Sequence, residues 1–237
     1  MAEFSARDPS QPAFWDERFA AGFTPWEAAV VPSEFGRWLD EAGPGAGARV
    51  LIPGCGAAYE VAALAARGCD VLAIDYSAVA VDRARIKLGA ELGRRVMLAD
   101  FFAFEAAPFD WIYERAFLAA LPPRMWSAWA ERCGRVLRPG GRLVGFFFVD
   151  EVAPEPRRGP PFAITSVELR GLRLEDDAPD TLDVTVQAIQ EPTALQGMVM
   201  IIFRDVASTP ARRAGRRRPA APADPAISDE LARLQEE

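Results

Sequence analysis

Apolar residues in this chain of 237 residues fall in short runs, separated by stretches in which hydrophobic and polar positions recur at helical spacing. Phe14 to Ala21 and Ser33 to Glu41 read as short amphipathic helices. From Val50 onward, strand and helix patterns alternate. A strand beginning at Val50 is followed by a helix over Tyr59–Arg67 that stops at Gly68. Strand Val71–Asp75 follows, and Ser77 is placed to cap a helix reaching about Leu92. Val96–Ala99 and Phe109–Tyr113 read as further strands, and Pro122-Pro123 opens a helix running to Leu137. Arg138-Pro-Gly-Gly141 is a tight turn into Leu143–Val149, an apolar run suited to a buried central strand. This alternation predicts an α/β fold with a doubly wound, mostly parallel sheet covered on both faces. Beyond Asp150, Thr165-Ser-Val-Glu168 fits a capping box. Leu172–Glu175, Asp183–Ile189 and Met198–Arg204 read as strands that include an antiparallel edge. Residues 1–206 are expected to form one domain.

Composition narrows the chemistry. Half of the residues are apolar, yet no run approaches the roughly 18 residues of a membrane span. The polar N-terminal residues lack the apolar core of a secretory signal, so a cytoplasmic protein is expected. Three cysteines, at 55, 69 and 133, show neither a disulfide framework nor metal-ligand spacing. The chain has no histidine, which removes His-metal sites and imidazole bases, and Lys87 is its single lysine. A net charge of −7 argues against nucleic acid as the main partner. The basic run Arg212–Arg218 belongs to a Pro/Ala/Arg-rich tail, residues 207–237, whose composition reads as disordered.

The strongest local signal is Pro53-Gly-Cys-Gly56, a glycine turn after the first strand, with Asp75 at the end of the next. Glycines let backbone N–H groups approach a ligand, and a carboxylate at that spacing accepts bonds from ribose hydroxyls. An adenosine cofactor is implied. In a dinucleotide-binding turn a third glycine would stand where this chain has Tyr59. The departure favours a sulfonium nucleoside, which has no pyrophosphate to accommodate.

These segments, taken with Phe14-Trp-Asp-Glu-Arg-Phe19, Thr24-Pro-Trp-Glu27, Asp100-Phe-Phe102, Tyr113-Glu-Arg115, Leu137-Arg-Pro-Gly-Gly141 and Gly159-Pro-Pro-Phe162, resemble the Rossmann-like class I methyltransferases. More narrowly, the chain resembles the thiopurine and thiol S-methyltransferase family. The likeness runs from about Phe14 to Leu169. It implies S-adenosyl-L-methionine as cofactor, a small-molecule acceptor, and N-terminal lid helices over about residues 13–41. By that resemblance Trp15, Phe19, Trp26, Gly54, Gly56, Asp75, Tyr76, Asp100, Phe101 and Arg115 meet the cofactor. Arg115 also reaches the acceptor, and Glu114 and Asp16 are candidate proton acceptors, as is Asp150. Phe117, Phe147, Phe148 and Phe162 are candidates for an apolar acceptor pocket. Each of these residues also has a plain packing reading.

A thiol suits this composition. With a pKa near 8.5, a few per cent is thiolate at pH 7 without a dedicated base. A monomer is expected, with neither membrane nor nucleic acid as partner. Two other readings stay open: an NAD(P)-dependent oxidoreductase, and a cofactor-binding protein that has lost catalysis. The latter is raised by the departure from the family's pattern after Leu169.

Overall fold

The computed structural model describes residues 3–27, 31–152, 156–171, 182–188 and 199–205, the last two segments by backbone alone. The element order is α1 (Pro12–Ala20), α2 (Ser33–Ala42), β1 (Arg49–Pro53), α3 (Val61–Ala66), β2 (Asp70–Asp75), α4 (Ala78–Leu92), β3 (Val96–Leu98), β4 (Phe109–Arg115), α5 (Phe117–Ala120), α6 (Trp126–Val136), β5 (Leu137–Phe147), α7 (Ser166–Gly171), β6 (Leu182–Ala188) and β7 (Val199–Asp205). The sheet order is β3-β2-β1-β4-β5-β7-β6. The first five strands run parallel. β7 lies antiparallel to β5, and β6 antiparallel to β7.

Strand periodicity sorts the core into two layers. Val50, Ile52, Trp111, Tyr113, Val144 and Phe146 point to one face, and Leu51, Ile112, Leu143 and Phe147 to the other. The first face is covered by α2, α3 and α4, the second by α5 and α6. Phe35 of α2 meets the Tyr113 ring edge-on at 4.9 Å, and Trp38 does the same with Trp111 at 5.7 Å. α2 therefore belongs to the sheet face, and only α1 with the chain following it remains as a cover.

Local signals act as their chemistry dictates. The Ser77 hydroxyl accepts the Ala80 N–H and caps α4. Thr165 and Glu168 close the capping box of α7 in both directions, at 3.2 and 2.9 Å. Three elements depart from the sequence reading. Arg138-Pro-Gly-Gly141, expected as a turn before a strand Leu143–Val149, lies within β5, which begins at Leu137 and ends at Phe147; the extra residues are taken up as an irregularity, where the pairing with β4 shifts register between Phe109 and Trp111. The segment predicted as one helix from Pro122-Pro123 begins as a 3-10 turn, Pro123–Met125, before α6. α5, only four residues long, was hidden in an apolar run; Ala116, in a left-handed conformation (φ 63°), starts it. The residues expected as strand Leu172–Glu175, and the tail 207–237, lie outside the described residues.

Candidate functional site

In an open parallel sheet the ligand crevice opens beyond the carboxyl ends of the strands, where the strand order reverses. Here the reversal lies between β1 and β4, since β2 and β3 lie to one side of β1 and β5 beyond β4. A cavity of about 1130 Å³ sits at that place. Its floor is the turn after β1, the end of β2 and the end of β4. Its cover is α1 with the segment to Glu27.

The turn is built from left-handed backbone: Gly54, Gly56 and Ala58 have φ of 56°, 49° and 52°. A Cβ on Gly54 would stand 2.3 Å from Cδ2 of Phe117, so this glycine admits an aromatic ring of α5 against the turn. Gly56 faces the cover instead. Its nearest neighbours in the Cβ direction are Phe19 Cζ at 3.7 Å and Glu27 Oε1 at 3.8 Å.

Asp75 lies buried beneath. Oδ2 accepts the Gly56 N–H at 2.9 Å and Oδ1 the Ser77 N–H at 2.9 Å. Burial raises its pKa from 3.8 to about 6, only partly countered by these bonds. Cys55, in the turn, is pushed well above the ordinary thiol range by burial and by the nearby Asp75 and Glu60 charges, so it stays a protonated thiol.

The cover is tied down by polar bonds. The Pro9 carbonyl accepts from both Trp15 Nε1 (2.8 Å) and Tyr76 Oη (2.7 Å). Burial holds the Tyr76 phenol well above its usual pKa, so it serves as a donor. Arg83 of α4 donates to the Phe19 carbonyl at 2.8 Å. Asp16 faces away from the cavity, toward α4: its Oδ1 accepts from Ser77 Oγ at 2.5 Å and from Val79 N at 3.3 Å. Trp26 meets the edges of Trp15 and Phe19 at 5.4 and 5.9 Å, which makes one aromatic wall.

Arg115, at the end of β4, forms an ion pair with Glu60 (2.7 Å), their side chains 12% and 4% exposed. The Tyr59 ring lies 5.8 Å from the Arg115 guanidinium, with Lys87 Nζ 3.2 Å from its centroid. The tyrosine that replaces a third glycine is therefore a platform between two cations. Asp100 accepts the Phe102 N–H at 2.9 Å and sits at the cavity edge with buried Phe101.

All ten residues that the resemblance assigns to the cofactor thus line one cavity. Glu114 does not line it, nor does Asp16 or Asp150. The Glu114 carboxylate is fully buried and caps α5, accepting the Leu118 N–H at 2.8 Å; burial lifts its pKa from 4.5 to about 8. Adjacent residues of a strand point to opposite faces, so Arg115 can face the cavity only if Glu114 does not. Of the four phenylalanines expected around an acceptor, Phe117 alone lines the space. Phe147 packs on Trp129 of α6, Phe148 packs against the core on the α2 face, and Phe162 packs in the core of the α6 face. Phe14, Phe23, Phe102, Met125, Pro160 and Pro161 supply the apolar wall instead. Sequence reasoning passed over Glu27 and Glu60, although both end motifs it quoted or adjoined: Thr24-Pro-Trp-Glu27 and the glycine turn.

Known proteins similar to this chain are found by both sequence and structure. A family model described as Thiopurine S-methyltransferase matches residues 10–184. "Probable thiol methyltransferase 2" of Arabidopsis thaliana is 33% identical over 159 residues, covering 65% of this chain and 68% of that protein. "Thiopurine S-methyltransferase" of Pseudomonas aeruginosa (strain UCBPP-PA14) is 33% identical over 174 residues, covering 62% and 79%. Among solved structures, the 1,6-didemethyltoxoflavin-N1-methyltransferase of Burkholderia thailandensis superposes with a TM-score of 0.63 at 19% identity, over 86% of this chain and 93% of that one. Magnesium protoporphyrin IX methyltransferase of Synechocystis PCC 6803 gives 0.61 at 18% identity, over 84% and 99%. These two likenesses establish the fold, while the sequence matches reach further: the chain belongs to the thiopurine S-methyltransferase family.

Proposed function

We propose that this protein is an S-adenosylmethionine-dependent methyltransferase acting on the sulfur of a small thiol or thiopurine. The observation that carries the reading is the single cavity in which the glycine turn, a buried carboxylate, an aromatic wall and Arg115 converge in a chain of this family. When bound, S-adenosylmethionine supplies a sulfonium methyl that an acceptor sulfur takes by direct displacement.

The residues fit that group. Asp75 retains lone pairs beyond its two backbone bonds and is placed to accept from ribose hydroxyls. Tyr76, Phe101 and Asp100, which line the same cavity, would hold the nucleoside. Trp15, Phe19 and Trp26 present ring faces and edges that suit a cation and exclude water, and a water-poor wall favours a reaction in which charge is dispersed. Arg115, held by Glu60, has further donors for a carboxylate. With Asp16 and Glu114 both turned away, no side chain is assigned as a general base, and the acceptor's proton passes to water. A soft nucleophile whose thiolate is already present at neutral pH needs no more. The occupied place of Tyr59 leaves no reason to retain the dinucleotide alternative.

The test is calorimetry with S-adenosylmethionine and S-adenosylhomocysteine, followed by a methyl-transfer screen over thiopurines, aliphatic thiols, sulfide, halides and metalloid anions. Binding with turnover on a sulfur acceptor is expected. Absence of binding overturns the cofactor assignment, and binding without turnover on any acceptor supports the cofactor-holding protein that has lost catalysis.

A further inference from the structure

The cavity contains one carboxylate that no group among the described residues claims. Glu27, half-buried at the end of the cover, brings Oε1 to 3.8 Å from the point where a Cβ on Gly56 would stand. Its side chain makes no hydrogen bond or ion pair among the described residues. The other acids of the cavity are engaged: Asp75 by two backbone N–H groups, Asp100 by that of Phe102, and Glu60 by Arg115. The cavity's arginines do not serve Glu27 either. Arg115 pairs with Glu60. Arg18 donates to the Phe14 carbonyl at 2.7 Å and stacks on the Phe14 ring, and Arg7 is exposed. A half-buried anion in an aromatic wall is stabilised only by a cation or by water, and the wall here is largely apolar.

We propose that Glu27 binds the α-ammonium of the cofactor's amino-acid end, opposite Arg115, which faces the carboxylate of the same group. The inference rests on the cofactor reading above and adds a residue to it. Two cationic centres exist on S-adenosylmethionine, and chemistry chooses between them. A carboxylate on the sulfonium would stabilise a charge that the transition state disperses, which slows the reaction. The ammonium keeps its charge throughout, so a carboxylate there strengthens binding without raising the barrier. Gly56 makes the contact accessible, because any side chain at that position would project toward the Glu27 carboxylate. Glu27 also joins the floor to the cover, so the amino-acid end would fasten the N-terminal segment that carries Trp15, Phe19 and Trp26.

The experiment compares wild type with Glu27→Gln, which keeps size and removes charge, for two ligands. S-adenosylhomocysteine carries the ammonium; 5′-methylthioadenosine is the same thioether nucleoside without the amino-acid end. Glu27→Gln should weaken S-adenosylhomocysteine about tenfold to a hundredfold, the worth of a charge-assisted contact, and leave 5′-methylthioadenosine unchanged. In turnover, KM for S-adenosylmethionine should rise by a larger factor than kcat falls, and Glu27→Asp should restore part of the loss. Equal weakening of both ligands would mean that Glu27 only shapes the cover and overturns the proposal, as does an unchanged S-adenosylhomocysteine affinity. A fall in kcat at constant KM would place Glu27 at the reacting centre and overturn it as well. Should wild type bind neither ligand, the cofactor reading itself fails and the proposal with it, a result distinct from a wild type that binds and a variant that is indifferent.

Discussion

Cofactor affinity should fall in mild acid, and Asp75 is the reason. Its carboxyl is buried at the end of β2, and burial carries its pKa from 3.8 to about 6. A shift of that size corresponds to about 3 kcal/mol against the charged form. The charged form is nevertheless the one the proposed function requires: both oxygens accept backbone N–H groups, and in that reading ribose hydroxyls donate to the remaining lone pairs. Ligand binding should therefore pull the pKa back down and release a proton below pH 6. Between pH 7 and pH 5 the deprotonated fraction falls about tenfold, and affinity for S-adenosylhomocysteine should fall with it, nearly flat above pH 7. Titration calorimetry at pH 5.5 in two buffers of different ionisation heat should register most of one proton released per ligand. Glu114, titrating at about 8, lies outside the cavity and should add nothing in this window. Asp75→Asn should bind weakly at every pH and abolish the slope. The linkage also has a stability side. The folded pKa is the higher one, so the ligand-free protein should gain stability as pH falls from about 6 toward 3.8, and the ionised group opposes folding above 6. Equal affinity at pH 5 and pH 7 in folded protein, with no proton release, would refute the reasoning.

Three further outcomes follow from the geometry. Asp16→Ala removes the acceptor that joins α1 to Ser77 and Val79 of α4, so thermal stability should drop by about 1–2 kcal/mol and S-adenosylhomocysteine should dissociate faster in stopped-flow tryptophan fluorescence. Glu60→Gln leaves Arg115 without its ion-pair partner. Because Arg115 borders an open cavity, the loss should be about 1–3 kcal/mol, below the 3–5 kcal/mol typical of a fully buried pair, and urea unfolding measures it. Glu114→Gln keeps an acceptor for the Leu118 N–H but cannot ionise. Wild type should lose stability through Glu114 as pH rises from about 4.5 to 8, while the variant keeps only the loss due to Asp75 that both proteins share, so their denaturation midpoints should lie close together in acid and separate toward pH 9.

Much of the architecture was legible because strand and helix periods, caps and stops are local properties. Val50 to Asp75 spells strand, glycine turn, helix, strand, and the sheet obeys that spelling. Ser77, Gly68 and Thr165 mark element ends through bonds made within a few residues of themselves. The ordered motifs likewise carried the family, since a glycine turn and a strand-end carboxylate are required at fixed spacing by the ligand they hold. By contrast, α5 escaped notice: four apolar residues have no periodicity to read, and its cap, Glu114, lies outside the helix.

The sequence by itself determined the chain's fold class, its membership of a cofactor-using family, and which residue types bear the chemistry. Tertiary structure alone decided which way those side chains face. Glu114 and Arg115 are adjacent in the chain, yet strand alternation sends one into the core and the other to the cavity. Asp16 sits on α1 among the cavity aromatics, but the helix turns it to α4. Tyr59, an awkward residue on paper, becomes a platform between Arg115 and Lys87, which lie 56 and 28 positions away. Glu27 gains its meaning only because Gly56, distant in sequence, leaves open the space in front of it. Facing depends on contacts between distant segments, and those contacts exist only once the chain has folded.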